Sequence, residues 1–263
     1  MIEIRRRTPQ CTPQFSSQIP PLLQRIYANR GVSTDDVMDR SAKRLLSFNK
    51  LHGIDEAVSL LADALVQNKR IIVVGDFDAD GATSSALSVT ALKMLGCTNC
   101  DYLVPNRFED GYGLSPEVVE QAIAKGAEMI MTVDNGVSSI EGVAAAKKAG
   151  LTVVVTDHHL PGGSLPIADA IVNPNLEDCG FPSKALAGVG VAFYLMLALR
   201  SHLREKVGLQ KKGLPSQTLP YCWIWWRWEP LPTWCPLMTI TGSLSTKACN
   251  VFGPGSAVRG FLH

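Results

Sequence analysis

Three aspartates, Asp76, Asp78 and Asp80, stand at alternate positions in Ile71-Ile-Val-Val-Gly-Asp-Phe-Asp-Ala-Asp-Gly81. Carboxylates this close repel one another, so a fold keeps them together where a cation sits among them. A divalent metal ion bound through oxygen is the ordinary solution. Two more polar clusters lie downstream, Asp134-Asn135-Gly136 and Asp157-His158-His159. Aspartate with histidine suits manganese or, less specifically, magnesium, and imidazole shifts the balance toward manganese. The carboxylate count and the lack of thiolates in these clusters weaken zinc. Several carboxylates sharing two ions is an arrangement for phosphoryl chemistry. One ion lowers the pKa of an attacking water, and both neutralise charge on phosphate oxygens. Neighbouring side chains diverge, so the economical division makes one histidine a ligand and the other a phosphate contact.

The elements that must position these residues are legible from periodicity. Short apolar, β-branched runs predict strands over 71–75, 101–104, 128–133 and 151–156. Between them the pattern predicts helices over 82–95, 115–125 and 139–149. Strands alternating with helices imply an α/β fold with a parallel sheet flanked by helices. Such sheets bind ligands beyond the carboxyl ends of their strands. All three polar clusters follow strands directly, so one sheet edge collects them. A merely solvated acidic loop would have to arise three times over to match this placement.

Residues 1–70 read as a mainly helical N-terminal region packed on the α/β portion. Helices are expected from Pro20-Pro21, after Ser33-Thr-Asp-Asp, and over Asp55–Gln67, where Ala57, Leu60, Leu61 and Leu65 form an apolar stripe. The uncharged run Ala185–Leu199 is too short to read as a membrane span and is expected to be a buried helix.

Asp78-Ala-Asp80-Gly, Val133-Asp134-Asn-Gly and Asp157-His158-His159 resemble the first three motifs of the DHH phosphoesterase family. Arg107-Phe-Glu-Asp-Gly-Tyr-Gly-Leu-Ser and Leu186-Ala-Gly-Val-Gly-Val-Ala-Phe resemble its branch of single-strand-specific exonucleases, and the likeness runs over roughly residues 18–207. The resemblance implies hydrolysis of single-stranded DNA from the five-prime end with two Mn²⁺ or Mg²⁺ ions, in DNA repair and recombination. It implies that Asp78 ligates one metal and Asp80 the other, that Asp134 bridges them, and that His158 joins the second site. His159 would contact the scissile phosphate. Asp76 is either a further ligand or hydrogen-bonded behind the ligands, and Asp157 is expected to orient a histidine. Arg107, in a loop at the same edge, is a candidate phosphate contact or an ordinary surface arginine. Tyr112 could stack on a base, though Gly111 and Gly113 beside it equally suggest a turn. A small-substrate relative cleaving pyrophosphate or short oligonucleotides would use the same motifs, and a non-catalytic fragment would only bind metal or nucleic acid.

Net charge is +1, but it is unevenly spread. Residues 1–70 carry eleven Lys/Arg against seven Asp/Glu, residues 71–180 five against fifteen, and residues 181–263 nine against two. An acidic middle between basic flanks suits a metal site with an anionic substrate. The seven cysteines are scattered, and Arg5-Arg6-Arg7 leads into polar, proline-rich sequence with no secretory core. A reducing, cytoplasmic setting is expected, with no membrane association. Cys97-Thr-Asn-Cys100 has zinc-like spacing but no second pair and no nearby histidine.

After about Gly208 the sequence changes character. All five tryptophans fall within residues 223–234, with neither strand alternation nor a helical stripe. An aromatic platform for nucleic acid is one reading. Codon arithmetic supplies a better one, because tryptophan has a single codon. Shifting the frame by one base turns the run at 223–230 into Asp, Leu or Met, Val, Ala (for a CGN arginine), Leu, Val or Met, Gly, then Thr or Ala, which reads as Asp-Leu-Val-Ala-Leu-Gly-Thr, an ordinary buried strand. The next bases permit the family's Gly-Thr-Val-Ala-Asp motif, whose aspartate would complete the second metal site. The expectation is a reading-frame slip between roughly residues 204 and 222 and an aberrant tail over 208–263. The chain would then be an incomplete DHH-type domain with impaired activity.

Overall fold

The computed structural model describes residues 8, 11–35, 45–106 and 110–206. Helix α1 spans Pro21–Ala28 and α2 spans Ile54–Val66. Strand β1 (Ile71–Val74) leads into α3 (Ala79–Met94), followed by β2 (Cys100–Leu103) and α4 (Pro116–Ala124). Then come β3 (Met129–Val133), α5 (Ile140–Lys148), β4 (Thr152–Thr156), β5 (Ala170–Val172) and α6 (Gly188–Lys206). The expected parallel sheet flanked by helices is the observed one. Its order is β2-β1-β3-β4-β5, with every neighbouring pair parallel.

Strand residues that alternate along the chain divide between two cores. Ile71, Val73, Met129, Met131 and Val133 face one side with buried residues of α2, α3 and α6. Ile72, Val74, Ile130, Val153 and Val155 face the other with α4 and α5. A sheet buried on both faces needs apolar residues at every strand position, which explains the unbroken Ile-Ile-Val-Val of β1. The uncharged run before Leu199 is indeed buried in α6, which extends beyond it to Lys206. Among the described residues no helix is long and apolar enough to cross a membrane. β5, three residues long, escapes the sequence reading because so short a segment has no measurable period.

The order in which strands are added reverses between β1 and β3, which are parallel neighbours although β2 lies between them in sequence. Loops leaving two such strands diverge and open a crevice at their carboxyl ends. Asn135 closes the floor of that crevice, its Nδ2 donating to Val74 O at 3.1 Å and Val133 O at 2.9 Å. Helix α3 starts at Ala79, earlier than the expected 82, so the aspartates do not form a free loop. Asp78 is the N-cap, its Oδ1 accepting from Gly81 N at 2.8 Å, and Asp80 lies in the first turn. Gly81 permits this start, because a β-carbon there would lie 2.5 Å from the backbone oxygen of Asp76. Backbone cannot swing aside as a side-chain tip can. Gly81→Ala is therefore expected to lower unfolding free energy by about 2–4 kcal/mol, measured by urea denaturation.

Candidate metal centre

The three polar clusters meet at the crevice between β1 and β3. Asp134 lies at its centre, directly after β3, with a positive φ of 62°. Aspartate tolerates this left-handed backbone better than most residues, but such outliers persist only where the surroundings hold them. The side chain is buried, at 1% exposure, and among the described residues Oδ1 has no hydrogen-bond partner. His158 Nε2 lies 3.1 Å from that oxygen without the alignment of a hydrogen bond. About 3 Å is the spacing of neighbouring donors around one octahedral ion with bonds near 2.1 Å. The two atoms are thus placed as co-ligands more than as donor and acceptor.

Two groups of donor atoms share Asp134. Asp76, Asp78 and Asp134 form one and Asp134, His158 and His159 the other, with ligand atoms in each group within 4.8 Å of one another. These oxygen and imidazole donors fit manganese or magnesium. Asp80 stands apart from both groups. Its Oδ2 accepts from Gly188 N and its Oδ1 from Val189 N, each at 2.9 Å, and Oδ2 lies 3.8 Å from His158 Nε2. It therefore faces the site while tying the start of α6 to the start of α3.

Asp157 is saturated by hydrogen bonds. Its Oδ2 accepts from Val137 N at 2.8 Å. Its Oδ1 accepts from the backbone N–H of His158 and His159 at 2.7 and 3.0 Å and pairs with His159 Nδ1 at 2.7 Å. Asp157 thus fixes the His159 ring with Nδ1 engaged and Nε2 turned away, 3.4 Å from the Tyr112 hydroxyl. The rings of Tyr112 and His159 meet edge-on, with centroids 6.2 Å apart.

The electrostatics follow from burial and neighbours. Burial, followed by the charges of Asp80 and Asp78, pushes Asp134 up to about 6 against the pull of His158. Burial also raises Asp76, with repulsion from Asp78 adding to it. The contact with Asp134 raises His158, and the contact with Asp157 lifts His159 to about 9. Burial alone would raise Asp157, but hydrogen bonds from the His159 ring and from the Val137 and His159 backbone hold it below the usual carboxylate range.

Of the residues singled out in the sequence, Asp76, Asp78, Asp134, His158 and His159 come together as donors, with Asp157 behind His159. Arg107, the helix expected after Ser33, and the whole of 207–263 with its tryptophan run lie outside the described residues. Cys97 and Cys100 are buried and unoxidised, and burial with the neighbouring Cys97 pushes the Cys100 thiol up to about 12. Among the described residues neither cysteine belongs to a group of three or more candidate metal ligands. Sequence reading misses Asn173 and Asn175, whose amides donate to the carbonyls of His159 and His158 and brace both histidines from the end of β5. Their only signal is Asn-Pro-Asn, an ordinary turn sequence.

Residues 70–219 match the model of the DHH family, N-terminal domain. The chain is 62% identical over 218 residues to the single-stranded-DNA-specific exonuclease RecJ of Escherichia coli K12, covering 83% of this chain and 38% of that one. It is 36% identical over 197 residues to RecJ of Bacillus subtilis 168, covering 72% of this chain and 24% of the relative. Among solved structures, exonuclease RecJ bound to manganese aligns with a TM-score of 0.55 at 38% identity, over 60% of this chain and 40% of that chain. RecJ of Thermus thermophilus in complex with Mn²⁺ aligns with a TM-score of 0.55 at 31% identity, over 73% of this chain and 29% of that chain. The chain thus spans well under half the length of these relatives. The family match takes in every residue of the site described above, and the chain belongs to the DHH family.

Proposed function

We propose that the site is a two-metal phosphodiesterase centre of RecJ type, built to hydrolyse single-stranded DNA from its five-prime end with Mn²⁺ or Mg²⁺. The observation that carries this reading is the pair of donor groups sharing one buried, left-handed aspartate at the crevice between β1 and β3. Asp76, Asp78 and Asp134 would hold one ion, and Asp134 with His158 the other, with Asp80 close enough to join after giving up a backbone contact. When bound, the ions would supply an acidified water and positive charge for the phosphate oxygens. The chain's own contribution is a preset frame. In the metal-free protein the contact with Asp157 lifts His159 to about 9, and Asp157 engages Nδ1, so a protonated ring would have its Nε2–H to donate to a phosphate oxygen. Arg107 is proposed as a further phosphate contact. The setting is proposed to be the cytoplasm, supported by the free thiols of Cys11, Cys97, Cys100 and Cys179.

For residues 208–263 we propose the out-of-frame tail, supported by the codon arithmetic of the tryptophan run. This chain would then lack one ligand of the second ion and part of the substrate cleft. The test is Mn²⁺-dependent nucleotide release from long single-stranded DNA and from a dinucleotide, by this chain and by one with the frame restored. The expected result is release from long DNA by the restored chain and little by this one. No release by the restored chain overturns the function, preference for the dinucleotide favours a small-substrate enzyme, and equal rates overturn the impairment. Resequencing codons 200–225 checks the slip itself.

Metal must displace the protons that burial favours on Asp134 and that Asp134 favours on His158. Mn²⁺ affinity is therefore expected to fall as pH drops, first as His158 gains the proton that Asp134 favours, then at least about tenfold per pH unit below about 6, where Asp134 is protonated as well. Calorimetric titration between pH 5 and 8 measures this.

A further inference from the structure

Helix α6 begins against two aspartates of the site, although its first turn carries no metal-ligating side chain. Gly188 N and Val189 N grip the Asp80 carboxylate, each at 2.9 Å, which fixes the first turn of α6 over the first turn of α3. A β-carbon at Gly188 would lie 2.2 Å from Asp134 Oδ1 and 2.6 Å from its Cγ. Carbon and oxygen in ordinary contact stand more than about 3 Å apart, so no side chain fits there while Asp134 keeps its place. The bare backbone of Gly188 is therefore one wall of the space that holds the Asp134 carboxylate, and His158 Nε2, 3.1 Å from the same oxygen, stands beside it.

We infer that Gly188 is a positioning residue for metal binding. Its task, resting on the reading of Asp134 as the shared ligand, is to leave the carboxylate room to face both donor groups. The alternative to moving Asp134 is moving α6, and α6 is anchored. Tyr194, Leu195 and Leu199 are fully buried in the larger core, and the Tyr194 hydroxyl accepts from Leu46 N at 3.2 Å. A short side chain swings more cheaply than a core helix shifts. An added methyl at position 188 thus displaces the ligand and spares the fold.

The test combines Gly188→Ala, Asp134→Ala and the double variant. Gly188→Ala is expected to keep the wild-type circular dichroism and to melt within a few degrees of wild type in EDTA. Its Mn²⁺ affinity, by calorimetry, is expected to fall at least about tenfold, as is usual when a group supporting a ligand is disturbed. A folded Gly188→Ala protein with wild-type Mn²⁺ affinity overturns the inference. If Gly188→Ala does not fold, the double variant decides, because Asp134→Ala removes the atoms that the new methyl would strike. A double variant as stable as Asp134→Ala supports the contact, and one that is also unfolded overturns it. Failure of the wild-type protein to bind Mn²⁺ refutes the metal reading separately, since the EDTA cycle still measures the coupling of Gly188 to Asp134.

Discussion

Asp134→Asn is expected to abolish Mn²⁺ binding while making the metal-free protein more stable. Asparagine matches aspartate in size and adopts the left-handed backbone at least as readily, so the turn after β3 survives. What changes is charge. Burial lifts Asp134 to about 6 from the ordinary 3.8, so the ionised form costs the metal-free fold about 2–3 kcal/mol at neutral pH. The folded pKa is the raised one, so this group's penalty is absent below the unfolded value and grows as pH rises through about 6. In EDTA the variant is expected to gain about 1–2 kcal/mol near pH 7, a rise in Tm of about 3–6 °C. It is also expected to lose the decline of stability between about pH 4 and 6. With saturating Mn²⁺ the order reverses, since ligand stabilises the wild-type protein alone. Scanning calorimetry of both proteins with EDTA and with MnCl₂ reads all three effects. A variant less stable than wild type in EDTA would show that the carboxylate belongs to the fold.

Asp157→Asn is expected to do the reverse, weakening the fold and the histidine pair together. The carboxylate accepts from three backbone N–H groups and pairs with the His159 ring, and an amide cannot accept at both atoms. Charge-assisted bonds of this kind are worth about 1.5–3 kcal/mol each, so a loss of about 2–4 kcal/mol is expected in urea denaturation. Asp157 has a depressed folded pKa, so its contribution is present above the unfolded carboxylate value and is lost only as pH falls through the folded one. His159 has a raised one, about 9. Its contribution is full below the unfolded histidine value of 6.5 and disappears as pH rises through about 9. NMR titration of metal-free protein is expected to place His159 near 9 in wild type and about 2 units lower in the variant. An unchanged His159 titration would separate it from Asp157.

Much of the fold and site is legible because it is local. The β-branched runs of β1, β3 and β4 announce buried parallel strands, and each ends within two residues of a polar cluster. Parallel strands place their carboxyl ends together, so the sheet itself converts three sequence positions into one site. The illegible part depends on distant approach. The grip of Gly188 and Val189 on Asp80 joins residues 108 and 109 positions apart, and nothing in the spacing of Gly-Val-Gly specifies its target. The same holds for Asn173 and Asn175 behind the histidines. The start of α3 departs from its sequence expectation because alternate aspartates read as a loop, whereas Asp78 caps the helix and Asp80 opens its first turn. Capping reconciles the cluster with a helix by giving the repelling carboxylates backbone N–H partners at two helix starts.

One buried aspartate, Asp134, is proposed to join two metal sites at the edge between β1 and β3. Crystals soaked in MnCl₂ and measured at the manganese absorption edge test it most directly. The expected result is anomalous density beside Asp134 on both sides, toward Asp76 and Asp78 and toward His158. Density confined to other surfaces, or none within bonding distance of Asp134, would contradict it.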